Sequence, residues 1–362
     1  MNWPMFVDPL PNESFSSWLV RVSLAHGCDP MVLSGYVWPK WRAWITDLDR
    51  GLSQDRLDKL SNSSGISAES LRCLTLEHNL GHCGLSRSLQ SSSWPWVLTR
   101  GARNRTFKVG MQYCPECLRE DQIPYFRWHW RLAWHTGCSK HKCALISRCP
   151  HCQEPVQYHR LAADRPHIAT CFSCGTDLRK TPAIPLIPEK LIFQISAEKV
   201  FLDGVGWFGT KQIPATDWFV LSRYFVDLIR KAGSKKRTSC LADFMNSSGV
   251  MMDELVMPST MLPLELLPAE EREHLLTAIA PLLLCGEEKF ISLAKEKGIS
   301  SNSLIDHWLI PPDFFQHIVR QLPRNDVPHR SRQTNSIPRS RSKNAVLHQW
   351  ARLLRKIGKL PQ

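Results

Sequence analysis

The sequence predicts a mainly α-helical, multidomain protein. It should hold an N-terminal helix-turn-helix, two tandem knuckle modules with short β-hairpins, and a C-terminal all-α domain with a second helix-turn-helix. Three observations carry that expectation. Four short cysteine or histidine pairs crowd the middle of the chain, a Gly-Ile-Ser pattern occurs twice far apart, and apolar residues recur at helical spacing through the C-terminal half. At 362 residues the chain is too long for one small domain. The expected segments are a helical domain over 1–105, the paired-knuckle module over 106–180, a Pro-rich linker over 181–215, a helical domain over 216–322 and a basic tail over 323–362.

The pairs are Cys114-Pro-Glu-Cys117, Cys138-Ser-Lys-His141, Cys149-Pro-His-Cys152 and Cys171-Phe-Ser-Cys174, with 20 residues between the first two and 18 between the last two. A two-residue gap lets a tight turn aim both donors at one ion, and a linker of roughly 15–20 residues returns a second pair. Two structural zinc ions per chain follow, one on Cys114, Cys117, Cys138 and His141, the other on Cys149, Cys152, Cys171 and Cys174. Disulfides fit poorly: the cysteines number 13, and Met1 to Phe6 lack the basic and apolar regions of a secretory signal, so a cytoplasmic protein is expected. Four thiolates, or three with one imidazole, close the coordination sphere, whereas catalytic zinc keeps a position open. No His has Glu two residues later, which removes the zinc-deaminase signature, and His-Glu-x-x-His is absent. Cys143, His135, His151 and His167 compete as ligands by proximity in sequence. Cys28, Cys73, Cys83, Cys240 and Cys285 lack such spacing and read as small buried hydrophobes.

Along the chain, Pro11 to Gly27 reads as a short amphipathic helix, with Asn12 as N-cap, Phe15, Trp18, Leu19 and Val22 on one face, and Gly27 as the stop. Asp29-Pro30 starts a second helix, Asp capping and Pro in the first turn. Trp38-Pro-Lys-Trp-Arg-Ala-Trp44 interleaves aromatics with cations and reads as a packed corner before a nucleic-acid surface. The stretches Leu60 to Leu71 and Leu293 to Leu304 align without gaps, each ending Gly-Ile-Ser-x-x-Ser-Leu. Physically, a helix stops at a left-handed Gly, Ile plugs the core, Ser caps a second helix and Leu packs its inner face. The candidate second helices, 68–75 and 301–307, hold a single cation, Arg72, so strong major-groove reading is not expected. Thr181-Pro-Ala-Ile-Pro-Leu-Ile-Pro188 reads as extended linker, and 217–231 and 269–279 as helices. Strands are expected only in the knuckle modules.

The formal charge of +13 is concentrated at the C-terminus, where 320–362 holds eleven Lys or Arg against one acid, Asp326. Arg330, Arg332, Arg339, Arg341, Lys343, Arg352, Arg355 and Lys356 are therefore candidate contacts for nucleic acid or an acidic partner. Within that tail, 345–357 spaces Val346, Leu347, Trp350, Leu354 and Ile357 at helical intervals. No apolar run reaches the ~18–20 residues of a membrane span. No Gly-x4-Gly-Lys-Ser/Thr occurs, so the chain is not a P-loop ATPase, and no Val- and Ile-rich strand alternation suggests an acid-triad polynucleotidyl transferase.

Taken in order, Pro11 to Gly27, then Tyr113 to Leu118, then Phe126-Arg-Trp-His-Trp-Arg-Leu-Ala-Trp134, expected as an aromatic helix, leading into Cys138-Ser-Lys-His141, Leu145 and Cys149 to Cys152, resemble the TniQ/TnsD family of transposon target-selection proteins. The resemblance covers the first half of the chain and implies a non-enzymatic adaptor, without catalytic residues. It would link a target-bound recogniser, an RNA-guided Cascade complex, to an AAA+ transposition regulator of the TnsC type and its transposase, and would act as a homodimer. The family's zinc ligands carry onto the eight residues named above. Two other readings stand beside it: a direct DNA-binding target selector of the TnsD type, and a zinc-ribbon transcription regulator.

Overall fold

The computed structural model describes residues 3–87, 89, 93–100, 111–234, 239–258, 260, 262–306, 309–324, 346, 347 and 350. Met1 to Pro323 form one compact unit and Arg324 to Gln362 a second. The first helix, α1 (Phe15–Ala25), is capped by Ser14, whose hydroxyl accepts from the Ser17 amide, and stops before Gly27 at φ +63. Asn12, expected as the cap, sits two residues earlier in a left-handed conformation at φ +59. Nor is α1 amphipathic: every residue from Phe15 to Ser23 is buried. Its apolar face packs Phe15, Trp18, Leu19 and Val22 against α2 (Pro30–Val37), α3 (Gln54–Ser64) and α4 (Ala68–Cys73). Val20 on the opposite face joins Tyr113, Phe126 and Tyr158 of the cysteine-rich module.

Asp29 precedes Pro30 as expected, but its carboxylate does not cap α2; it accepts the Ala163 amide at 2.6 Å. The Trp38 to Trp44 stretch is a packed corner. Trp38 is buried, and Trp44 donates to Pro30 O and Ser34 Oγ while stacking on His159.

Both Gly-Ile-Ser stretches turn at a left-handed glycine, Gly65 at φ +75 and Gly298 at φ +64. In the first, Ser67 caps α4 by accepting the Ser70 amide at 3.1 Å. A further helix, α5 (Leu76–Gly81), follows directly. The second is shorter than expected: its helix spans only Ser301–Leu304, because Ile305 is already extended and Asp306 and Leu309 exchange backbone hydrogen bonds in a tight turn.

The cysteine-rich module contributes α6 (Pro115–Glu120) and an antiparallel pair, β1 (Gly137–Cys138) with β2 (Cys143–Ala144). The aromatic run from Phe126 is not an α-helix; only Trp128–Arg131 turn, as a 3-10 segment. Nor is the whole of 181–215 a linker. The prolines keep the chain extended to Ile187, where it lies along β2, and α7 (Ile192–Asp203) and a hairpin of β3 (Val205–Phe208) with β4 (Lys211–Pro214) follow. This hairpin is the strand pair that was not expected outside the knuckles. Its strands bury few side chains, so periodicity gave little signal.

Beyond it, α8 (Ala215–Ser234) and α9 (Cys240–Ser247) pack with α10 (Ala269–Glu296), which is broken at Gly286, and a short last helix (Gln316–Arg320) closes the unit. Their core, centred on Phe219, Phe225, Phe290 and Phe315, also takes in Leu76, Trp96 and Trp134 from the N-terminal half. Cys83 and Cys285 are buried as expected; Cys73 and Cys240 are exposed and Cys28 is half-buried. In the tail, Val346, Leu347 and Trp350 are helical and exposed.

Candidate metal centres

Three of the four pairs close by one local device. Lys142 donates to Cys138 O, Gln153 to Cys149 O and Gly175 to Cys171 O. In each case the residue after the second donor is left-handed, at φ +50, +59 and +75. The fourth pair uses a helix start: Cys114 precedes α6, Pro115 fills the first turn where no amide is needed, and the Cys117 amide donates to Cys114 Sγ at 3.4 Å.

The folded chain brings Cys114, Cys117, Cys138 and His141 together, and separately Cys149, Cys152, Cys171 and Cys174, with the donor atoms of each set within 4.8 Å of one another. In the first cage, His141 Nδ1 lies 3.4, 3.3 and 3.5 Å from the sulfurs of Cys114, Cys117 and Cys138, and the Cys117 and Cys138 sulfurs are 3.7 Å apart. In the second, Cys149 to Cys174 and Cys152 to Cys171 are each 3.6 Å. Ligands at about 2.3 Å around a tetrahedral ion stand roughly this far apart, so both donor sets fit a closed four-coordinate site.

The thiols of the first cage share their protons: Cys114 is lowered while Cys117, Cys138 and Cys143 are raised, chiefly through their hydrogen bonds to Cys114. Hydrogen bonds from the Cys117, Cys138 and Cys143 thiols hold the Cys114 thiol far below its ordinary value. In the second cage the Thr176 hydroxyl, 3.2 Å away, brings Cys174 down to about 5. Lys140 and then His141 lower Glu120, whose Oε2 is 3.0 Å from His141 Nε2.

Of the competing ligands, Cys143 stands at the cage edge, 3.5 Å from Cys114 Sγ. His135 faces Glu198 at 3.7 Å, His151 is exposed, and His167 is held by Thr170 and Asp177. A third group, Glu69, Cys73 and His78, is clustered but fully exposed. Arg330, Arg332, Arg339, Arg341, Lys343, Arg352, Arg355 and Lys356 lie outside the described residues.

What locks the first cage in place escaped the sequence reading. Gln194 of α7, buried at 1% exposure, accepts the Thr136 and Gly137 amides and donates to Gly137 O, clamping β1. Beneath α1, Glu13 is fully buried and takes a two-point bond from Arg21 at 2.8 and 2.6 Å and a third bond from Ser17. Ser17 Oγ also accepts the Phe126 amide, and Ser16 Oγ lies 2.7 Å from Tyr158 OH. The Pro-x-Glu-Ser start and the Arg that follows it thus serve as scaffold, tying α1 to the metal module.

Arg131 does the same from the aromatic run. It reaches Asp49 and Asp47 at 2.6 Å each and donates to Leu98 O. Buried Arg272 of α10 donates to Ala133 O and Gln112 Oε1, and burial brings it down to about 9.

The TniQ family model matches residues 4–145. The match runs from the N-terminal helices through the complete first cage and stops short of the second. No curated protein matches the chain. Among the described residues, no helix is long and apolar enough to cross a membrane.

Proposed function

We propose that this chain, which the TniQ family model matches over residues 4–145, is a TniQ-family protein and serves as a non-catalytic adaptor in target-site selection for DNA transposition. In this reading it links a target-bound recogniser, an RNA-guided Cascade complex, to an AAA+ regulator of the TnsC type, which recruits the transposase. The family match over 4–145 carries the reading. Its support in the molecule is that both metal cages are built for architecture: every donor is matched within its cage and the scaffold behind the first is buried. Zinc in both cages would cross-link the chain and supply folding free energy without an open position for chemistry. Cys114, Cys117, Cys138 and His141 would hold one ion, and Cys149, Cys152, Cys171 and Cys174 the other.

The adaptor is further proposed to be a homodimer, near 83 kDa by light scattering, as twice 41.5 kDa. The basic tail is proposed to hold nucleic acid or an acidic partner surface. The deciding experiment is co-purification of the tagged chain with the guide-RNA complex and, separately, with the AAA+ regulator. Recovery of both supports the adaptor; recovery of neither, with sequence-specific retention on a DNA target, moves the assignment to a direct selector of the TnsD type or a zinc-ribbon transcription regulator. The net charge of +13 is the observation that favours that second reading.

A further inference from the structure

On the N-terminal helical region, away from both cages, a cleft of about 420 Å³ opens between the Trp41 corner and the start of α3. Arg50, Arg56 and Arg100 all line it, with Trp41 and the hydroxyl-bearing Thr46 and Ser53. Its one acidic lining residue, Asp47, is already committed. Arg131 grips both its oxygens at 3.0 and 2.6 Å, and Arg50 stands 3.4 Å away. Burial would raise the Asp47 carboxyl, yet Arg131, Arg100 and Arg50 together hold it below the ordinary range, which places these cations in one field.

Two of the lining guanidiniums have hydrogen-bonding capacity left over. Among the described residues the Arg56 side chain makes no hydrogen bond or ion pair, and its Cζ stands 3.8 Å from the centroid of the Trp41 ring. Arg100 uses Nη2 on His159 Nδ1 at 3.1 Å, while its Nη1 is buried without a hydrogen-bond partner. Ser53, the N-cap of α3, leaves its side chain unused for capping. The nearest exposed acids on α3 are engaged along the helix, Asp55 by Lys59 and Asp58 by Gln54. Lys40 and Arg42 stand exposed on either side of Trp41. An excess of planar cationic donors, the Ser53 hydroxyl and a helix start on one concave surface is the chemistry that takes a phosphate.

We infer that this cleft binds a phosphate of a nucleic-acid strand, through Arg56 and Arg100 with Ser53 beside them. The site goes beyond the adaptor reading and is independent of the basic tail.

The test is fluorescence anisotropy of a short labelled single strand, and of the same sequence as a duplex, titrated with the full chain across a salt series. Inorganic phosphate and a mononucleotide serve as competitors. Arg56→Gln and Arg100→Gln should each weaken binding about tenfold and lower the salt slope by about 0.7–0.9. Arg56→Lys should recover most of the affinity.

Ser53→Asp guards against mere misfolding. Asp is a good N-cap, so thermal stability should hold or rise while the added negative charge weakens binding. Unchanged affinity in both Gln variants and in Ser53→Asp overturns the inference. So does saturable binding of inorganic phosphate, lost in the same variants, with neither oligonucleotide bound, since the source is then a small anion.

Discussion

His141 faces two ways: its Nδ1 points into the first cage, 3.3 Å from Cys117 Sγ, while its Nε2 meets Glu120 Oε2 at 3.0 Å. A carboxylate on the outer nitrogen of a ligating imidazole fixes the ring and raises its basicity toward metal. Glu120→Gln keeps the shape and removes the charge. Metal affinity of the first cage should fall roughly 10–100-fold, with the second cage unchanged. Chelator competition followed with a chromophoric zinc indicator reads both cages, and an unchanged titration in Glu120→Gln would show that the pair is incidental.

Elemental analysis of protein purified without chelator should give two zinc ions per chain. Cys174→Ser should leave one, and its thiol is exposed at the rim of the second cage. Cys114→Ser should leave one and also expose the core around Tyr113, Phe126 and Tyr158, because Cys114 is itself a buried member of that core. The differing severity is the informative part. A loss of solubility greater for Cys114→Ser than for Cys174→Ser agrees with the first cage being packed under α1.

The division between legible and illegible features follows sequence distance. The cages were readable because each pair is local: a two-residue gap, closed in three of the four by a left-handed position, which Gly175 announces and Lys142 and Gln153 do not. The Gly65 and Gly298 stops and the Ser67 cap are local too. Asn12 lost the cap to Ser14 because both are good capping residues and only the Glu13–Arg21 clamp decides which carbonyl starts the helix.

The serines of α1 read as a solvent face, whereas Ser16 and Ser17 are buried against Tyr158 and Phe126, over a hundred residues away. Gln194, inside the stretch read as linker, gave no signal for the same reason: it is a polar residue whose partner is backbone of a distant strand. The β3–β4 hairpin is held by Phe208, packed on Phe225 and Phe315, and by its turn against α10.

That turn carries the next prediction. Gly209 sits at φ +60, donates to Leu283 O at 2.8 Å, and a Cβ there would lie 2.5 Å from Gly286 Cα. Backbone meets backbone, so nothing flexible can yield. Gly209→Ala should cost on the order of 2–3 kcal/mol, combining left-handed strain with the overlap. Chemical denaturation checks this, and a loss below about 0.5 kcal/mol would mean that the hairpin turn moves freely away from α10.

Arg131 is the buried partner of both Asp47 and Asp49. Arg131→Met should destabilise by about 3–5 kcal/mol, because two carboxylates are left in the interior without their main cation. The pH dependence has a definite sign. In the parent, Asp47 is held below its ordinary value, so its contribution is present above about pH 3.9 and is lost as pH falls through the lower folded value. In the variant, burial without Arg131 raises the carboxyl, and the deficit should shrink when unfolding is measured at pH 5 instead of pH 7. A deficit that grows on acidification would contradict the assignment.

His159 gives the last prediction. Burial first, then Arg100 and Arg160, bring it down to about 3, and its Nδ1 accepts from Arg100 while its ring stacks on Trp44 at 5.4 Å. It is therefore neutral in the folded chain and protonated in the unfolded chain below about pH 6.5. A depressed folded value means stability that is complete above 6.5 and falls as pH drops, by about 1.4 kcal/mol per pH unit for one proton. His159→Gln keeps a hydrogen-bond acceptor for Arg100 and removes the titration. Between pH 6.5, where the unfolded histidine is already half protonated, and pH 5.5, urea unfolding of the parent should lose about 1 kcal/mol more than the variant, with metal content checked at each pH so that zinc release is not mistaken for the histidine. Equal slopes would place His159 in solvent contact, and would equally loosen the Arg100 side of the cationic cleft.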